Sequence, residues 1–404
     1  PVQILMIAVG VGTSVGVNAL LSKSIGAKDT EMVERTAATG VALSLLSTLA
    51  FVILGLSCTK LFVRAFTDDP EIAAYCAEYL SVCMIISAGS FVATMFQRFL
   101  QAVGDTFDSM LSLIAGAVTN IILDPILIFG RLGLEPMGVA GAAVATVIGQ
   151  WISAIIGFTL NQTKNKELKL DLRDFQISSK DFRDIIAVGL PSTIMASIGS
   201  VMNVGMNAIL QGFPESNAGL NVMAVYFKLQ SFIFMPVFGL ANGIIAIIGY
   251  NFGARIKSRI YQCIKVALIW AGTIMLIGTL IFLFLPEQLM SIFESDADPE
   301  LTAQMTKIGV TAMRIICTNF LFAAVGITLS TVFQAIGKGT YSMVLSICRQ
   351  LLILLPVAWL LARITGSVYA VWWCFPISEL VSLIICLYMF RKCNREMLMP
   401  LPNE

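Results

Sequence analysis

Long apolar runs alternate with short polar breaks along this chain. Eleven runs stand out, at residues 4–22, 39–60, 78–103, 109–130, 138–160, 185–210, 223–250, 262–285, 307–333, 341–362 and 368–390. Each is close to or above the about 20 residues a helix needs to cross a bilayer core. The one long polar break runs from Asn161 to Asp184 and holds Lys164, Lys166, Lys169, Arg173, Lys180 and Arg183. The pattern predicts an all-α polytopic membrane protein. It divides into a bundle over 1–160, a basic linker over 161–184, a second bundle over 185–392 and a tail over 393–404.

Composition sharpens this picture by exclusion. Of 404 residues, 57% are hydrophobic and 13% charged, about half the charge of a soluble globular chain, and mean hydropathy is +0.85. A water-soluble enzyme is excluded. Net charge is +1, so no basic field exists for a nucleic-acid partner. Histidine is absent, which removes imidazole bases, His-ligated metals and His-activated nucleophiles. The nine cysteines form no CxxC pair and read as small apolar groups inside spans. No cofactor is expected.

The two halves echo each other. Gly26-Ala27-Lys28 matches Gly253-Ala254-Arg255, Asp69-Pro70-Glu71 matches Asp298-Pro299-Glu300, and Gln101-Ala102-Val103-Gly104 matches Gln334-Ala335-Ile336-Gly337. The pairs recur in the same order, the signature of duplication. By that register, span 185–210 has its counterpart before residue 1, and Pro1 opens inside an apolar run without a charged, cleavable leader. The expected whole is twelve spans, of which the first is missing here. Six spans per half give parallel repeats related by a pseudo-two-fold along the membrane normal.

Basic residues mark one face. Lys23, Lys28, Arg35, the linker bases, Arg255, Lys257, Arg259, Lys338, Arg391, Lys392 and Arg395 fall in alternate breaks. The other breaks hold few bases (Lys60, Arg64, Arg131, Arg363) and more acids, including Asp68, Asp69, Glu71, Glu294, Asp296, Asp298 and Glu300. The positive-inside bias then places both termini of the complete protein in the cytoplasm. Localisation is expected in a prokaryotic plasma membrane, as a monomer among membrane lipids.

Charged residues inside spans carry the functional information, because each costs about 2.5–3.5 kcal/mol at a span centre. Arg98, Lys228, Arg314 and Arg349 lie near span ends, where long stems reach the interface. Asp124 and Glu379 are shorter and deeper. Each needs a partner, a proton, a cation or a wet cavity. Asn120 lies one turn before Asp124 on the same helix face. Pro125 follows; it frees the carbonyl of Ile121 and lets the helix bend. A carboxylate, an amide and a bare carbonyl at one level suit a proton or a hard cation. In 138–160, Gly141, Ala145 and Gly149 form a small-residue stripe for close packing. Such packing brings Thr146 toward Asp124. Glu379 stands at the level of Gln150 by the repeat offset, after Pro376, a second expected bend. Span amides such as Gln150, Asn203, Asn207 and Asn242, among many Met and Phe, are candidates to line a promiscuous substrate cavity.

These residues resemble one family. Asn120-x3-Asp124-Pro125 followed by Gly141-Ala142-Ala143-x-Ala145-Thr146 is similar to multidrug and toxic compound extrusion (MATE) transporters, most of all the prokaryotic drug exporters. Gln101-Ala102-x-Gly104-Asp105-Thr106, Pro236-x2-Gly239 and Asn251-x-Gly253-Ala254 fit as well. The resemblance implies two six-helix bundles around a V-shaped cavity. It implies efflux of cationic or amphipathic organic compounds against H+ or Na+. It also implies a cation site of Asn120, Asp124 and Thr146, with Asp124 and Asn120 as the metal ligands if the ion is Na+. The family's acid on the first helix has no counterpart in this chain, and spans 185–210 and 307–333 lack Asp and Glu. Glu379 is the candidate substitute in the second half. The alternative is a lipid-linked oligosaccharide flippase of related architecture, which needs a strongly basic cavity.

Overall fold

The structure is a computed structural model that describes residues 2–66, 69–133, 135–165, 167–168, 178–293 and 299–402. Of the charges placed in breaks above, Asp68, Lys166, Lys169, Arg173, Glu294, Asp296 and Asp298 lie outside the described residues, as do the side chains of Lys60 and Arg64. The described residues are helical throughout, without a strand. Ten helices have the length and apolar content to cross a membrane, and a bent pair supplies an eleventh.

The first compact unit comprises residues 1–194. It contains α1 (Val2–Gly26), α2 (Thr30–Phe66), α3 (Pro70–Ile85), α4 (Ala88–Ala102), α5 (Thr106–Phe129), α6 (Gly138–Lys164) and the start of α7 (Ser179–Leu210). Polar caps set the starts. Asp29 accepts from the amide of Met32, Asp69 from Glu71 and Ile72, and Asp105 from Asp108, each satisfying amides that a helix start leaves unpaired. Single span 78–103 is in fact the bent pair: α3 and α4 meet at 49° across Ile86 and Ser87. The core of this unit includes Val17, Leu21, Phe99 and Ile185, all fully buried. There α1 meets α7 with bare backbone, since a Cβ on Gly12 or Gly16 strikes Thr193 or Ile185.

The second unit comprises residues 195–404, so the division falls within α7. It holds α8 (Ser216–Gly253), α9 (Lys257–Phe284), α10 (Pro286–Ser291), α11 (Pro299–Ile316), α12 (Phe320–Ala335), α13 (Gly339–Ile347), α14 (Leu354–Thr365), α15 (Val368–Val371) and α16 (Cys374–Cys393). A π-helical stretch, Cys348–Ile353, joins α13 to α14, and a 3-10 turn at Cys317–Asn319 joins α11 to α12. Tyr226, Phe282, Phe320 and Phe375 pack edge to face at 5.3–6.4 Å in its core, each pair adding about 0.5–1.5 kcal/mol beyond area burial. Pro376 sits in the first turn of α16, and the helical run breaks at Trp372 and Trp373, three to four residues before it, where a proline leaves a carbonyl without its donor.

The sequence echoes are structural ones. Lys28 and Arg255 both adopt left-handed backbone, at φ 57° and 60°. Each closes its helix with the same pair of hydrogen bonds, Lys28 to Ile25 with Asp29 to Ser24, and Arg255 to Phe252 with Ile256 to Asn251. Gly104 and Gly337 repeat this at φ 89° and 84°, donating to Gln101 and Gln334 at 3.0 Å each.

Candidate functional site

Helices α5 and α6 run in backbone contact because their facing stripes lack side chains. A Cβ on Gly149 comes within 2.6 Å of the Gly116 carbonyl, one on Gly116 within 2.7 Å of the Gly149 carbonyl, and one on Gly141 within 2.7 Å of Leu127. The expected stripe is therefore the seam between the helices, and Thr146 faces α5 beside it. Asn120 Nδ2 donates both to Asp124 Oδ1 at 3.3 Å and to Thr146 Oγ1 at 3.4 Å. Thr146 in turn donates to the Ala142 carbonyl at 2.9 Å, so its hydroxyl oxygen is left as an acceptor. The three residues thus form one polar cluster across the seam. Asp124 is half-buried and has no ion pair among the described residues. Pro125 lies inside α5, so the carbonyl of Ile121 lacks its helical donor one turn from the carboxylate.

Two further side chains border this cluster. Tyr79 on α3 neighbours Thr146 and Gln3 of α1. Sequence reading missed both. Tyr79 stands at the edge of an apolar run, where an aromatic signals only an interface anchor, and no spacing rule joins it to residue 146. Among the described residues no group of three or more His, Cys, Asp or Glu could hold a metal. Any cation here relies on one carboxylate with neutral oxygens.

Glu379 has a different setting. It is buried on α16 at 8% exposure, and its Oε1 accepts from Arg349 Nη1 at 3.3 Å. Both line a cavity of about 410 Å³ within the second unit, walled by Tyr226, Phe234 and Phe375 and carrying Asn203 and Gln230. Asn203 is thus placed on a cavity, although its amide nitrogen is taken by the Gly199 carbonyl. Asn207 and Asn242 are not among that cavity's walls. Gln150 belongs to the first unit, one turn beyond Thr146, with its Oε1 buried and unpartnered.

The remaining intramembrane bases each have a partner of their own. Buried Arg98 donates to Gln101 at 2.8 Å, Arg314 lies 3.8 Å from Glu287 at the surface, and Lys228 caps the ring of Phe293. Two ion pairs within the first unit were not foreseen. Buried Asp181 pairs with Arg35 at 2.9 Å, and Asp108 with Lys164 at 2.7 Å. All nine cysteines are free.

A helical bundle of this span number, with a polar cluster sunk between two closely packed helices, is a multi-pass integral membrane protein. A family model described as MatE matches residues 1–126 and 191–360, and the chain belongs to that family. Among curated relatives, it is 24% identical over 389 residues to the multidrug export protein MepA of Staphylococcus haemolyticus, covering 96% of this chain and 82% of that one. To the probable multidrug resistance protein NorM of Thermotoga maritima it is 28% identical over 373 residues, covering 90% and 75%. In fold it matches an outward-facing multidrug resistance MATE transporter of the MOP superfamily at TM-score 0.91, with 24% identity over 98% of this chain and 86% of that one. It equally matches a MOP-superfamily transporter from Pyrococcus furiosus, at TM-score 0.91 and 25% identity over 98% and 86%.

Proposed function

We propose that the protein is a secondary multidrug exporter, trading cationic or amphipathic organic compounds for H+ or Na+ by alternating access. The carrying observation is Asp124: an acid within a span, held by Asn120, with no cation of its own among the described residues. An acid so placed gains most by taking a proton or a small cation from the side to which it opens. Asn120 holds one carboxylate oxygen, and Thr146 and the Ile121 carbonyl supply neutral acceptors beside it. Filling this site favours one arrangement of the α5–α6 pair and emptying it favours another, with Pro125 as the pivot. Ion and drug then oppose each other's binding by the same factor, as linkage requires. The proposal needs no resident cofactor, a single copy of the chain and a prokaryotic plasma membrane with cytoplasmic termini. The names of the MepA and NorM relatives support it.

The flippase alternative is weaker on charge. The Arg349 guanidinium, the one base among the walls of the cavity that holds Glu379, is engaged by that carboxylate, so this cavity offers no basic cluster for a pyrophosphate. The test is drug efflux from proteoliposomes under an imposed pH or Na+ gradient. Gradient-driven efflux that vanishes in Asp124→Asn is expected; full coupled efflux in that variant overturns the proposal.

A further inference from the structure

On the second unit, α8 and α9 enclose a groove of about 450 Å³. Its walls are graded. Asn251, Arg259 and Gln262 stand at the end beside the α8–α9 turn, whereas Gly243, Ile247 and Val266 line the part running away from it. From Asn251 back to Leu240 the groove follows three turns of α8, roughly 16 Å at 1.5 Å per residue. A charged mouth at a helix end and an apolar trough along the helices is the polarity profile of a membrane lipid.

Two observations mark the groove as a binding feature. Glycine weakens a helix interior, and the seam glycines Gly116 and Gly149 are accounted for by a neighbouring backbone. A Cβ on Gly243 meets nothing within 4 Å, as at Gly239 and Gly272 off the groove, and Gly243 alone of these three lines it. Its bareness leaves the trough open. Second, Arg259 lines the mouth and Arg255 and Lys257 lie in the adjoining turn and helix start, and none of the three pairs with an acid among the described residues. Lys257 donates only to the Met399 carbonyl.

We infer that this groove holds an anionic glycerophospholipid, its phosphate on Arg259, its headgroup hydroxyls beside Gln262 and one acyl chain in the trough over Gly243. An apolar trough of this length selects a lipid over a free phosphate. The surplus of positive charge selects an anionic headgroup over a zwitterionic one. The inference concerns a binding site on the second unit and stands apart from the exchange reaction at Asp124.

Native mass spectrometry of the full chain tests it, after delipidation and re-addition of palmitoyl-oleoyl phosphatidylglycerol or phosphatidylcholine. Phosphatidylglycerol should be retained about fivefold over phosphatidylcholine. Arg259→Gln should abolish that preference, Arg259→Lys should keep part of it, and Arg255→Gln, outside the groove walls, should keep most. Gly243→Leu should reduce retention of both lipids, with helix content and melting temperature held as the folding control. Unchanged preference in Arg259→Gln overturns the inference. So does displacement of phosphatidylglycerol by inorganic phosphate, which would make the site one for free anions.

Discussion

Arg349 donates to Glu379 at 3.3 Å inside the second unit, while Asp124 in the first unit is held by an amide alone. The two intramembrane acids are therefore not equivalent. One carries its cation within the chain; among the described residues the other does not.

That difference predicts opposite phenotypes. Asp124→Asn keeps the shape of the site and removes its charge, so the protein should fold with an unchanged melting temperature and lose gradient-driven efflux. Glu379→Gln leaves the half-buried Arg349 guanidinium without its counter-charge, a loss of the order of 1–3 kcal/mol. It should lower the melting temperature by several degrees, and Glu379→Gln combined with Arg349→Met should recover most of that loss. A double variant as unstable as the single one would show that the pair is not the cause.

Asn120 supplies the hydrogen bond to Asp124. Asn120→Ala removes the donor that steadies the ion-free carboxylate, so Asp124 should take its ion about tenfold more tightly or better, since a hydrogen bond to a charged group contributes about 1.5–3 kcal/mol. The check is the ion concentration for half-maximal efflux, which should fall while the maximal rate at saturating ion is largely kept.

Gly149 faces the Gly116 carbonyl with no room for a side chain. Gly149→Leu should force α5 from α6 and cost about 1–3 kcal/mol or more. It should also abolish transport, because Asn120 and Thr146 meet only while the helices stay in contact. A thermal melt and an efflux assay on the same preparation check both.

Pro125→Ala restores a donor to the Ile121 carbonyl and removes a helix breaker from α5. Drug binding should persist while turnover falls severalfold, measured as efflux rate at saturating drug and fixed gradient. Turnover equal to the parent would remove Pro125 from the cycle.

Much of this was legible in the residues. The apolar runs fixed the spans because a bilayer demands both length and low charge, and the turn motifs around Lys28 and Arg255 disclosed the duplication before their shared backbone geometry was seen. Asn120 and Asp124 were readable because one helical turn separates them, and Thr146 because a glycine stripe forces close packing. Contacts between distant segments were harder. Arg35 and Lys164 read as break charges, and nothing local shows that their partners Asp181 and Asp108 are buried. Arg349 reads as a snorkelling base until α16 is folded against the π-helical stretch. Tyr79 fails to register for the same reason. The break near Ser87 carries no proline, so the run 78–103 reads as one span.

In the proposed cycle Asp124 is the port for the driving ion, whereas Glu379 is neutralised by Arg349. For an electroneutral one-for-one swap, a tenfold ion gradient yields about 1.4 kcal/mol per turnover. Extrusion must then stall once the drug outside exceeds that inside by the same factor of ten.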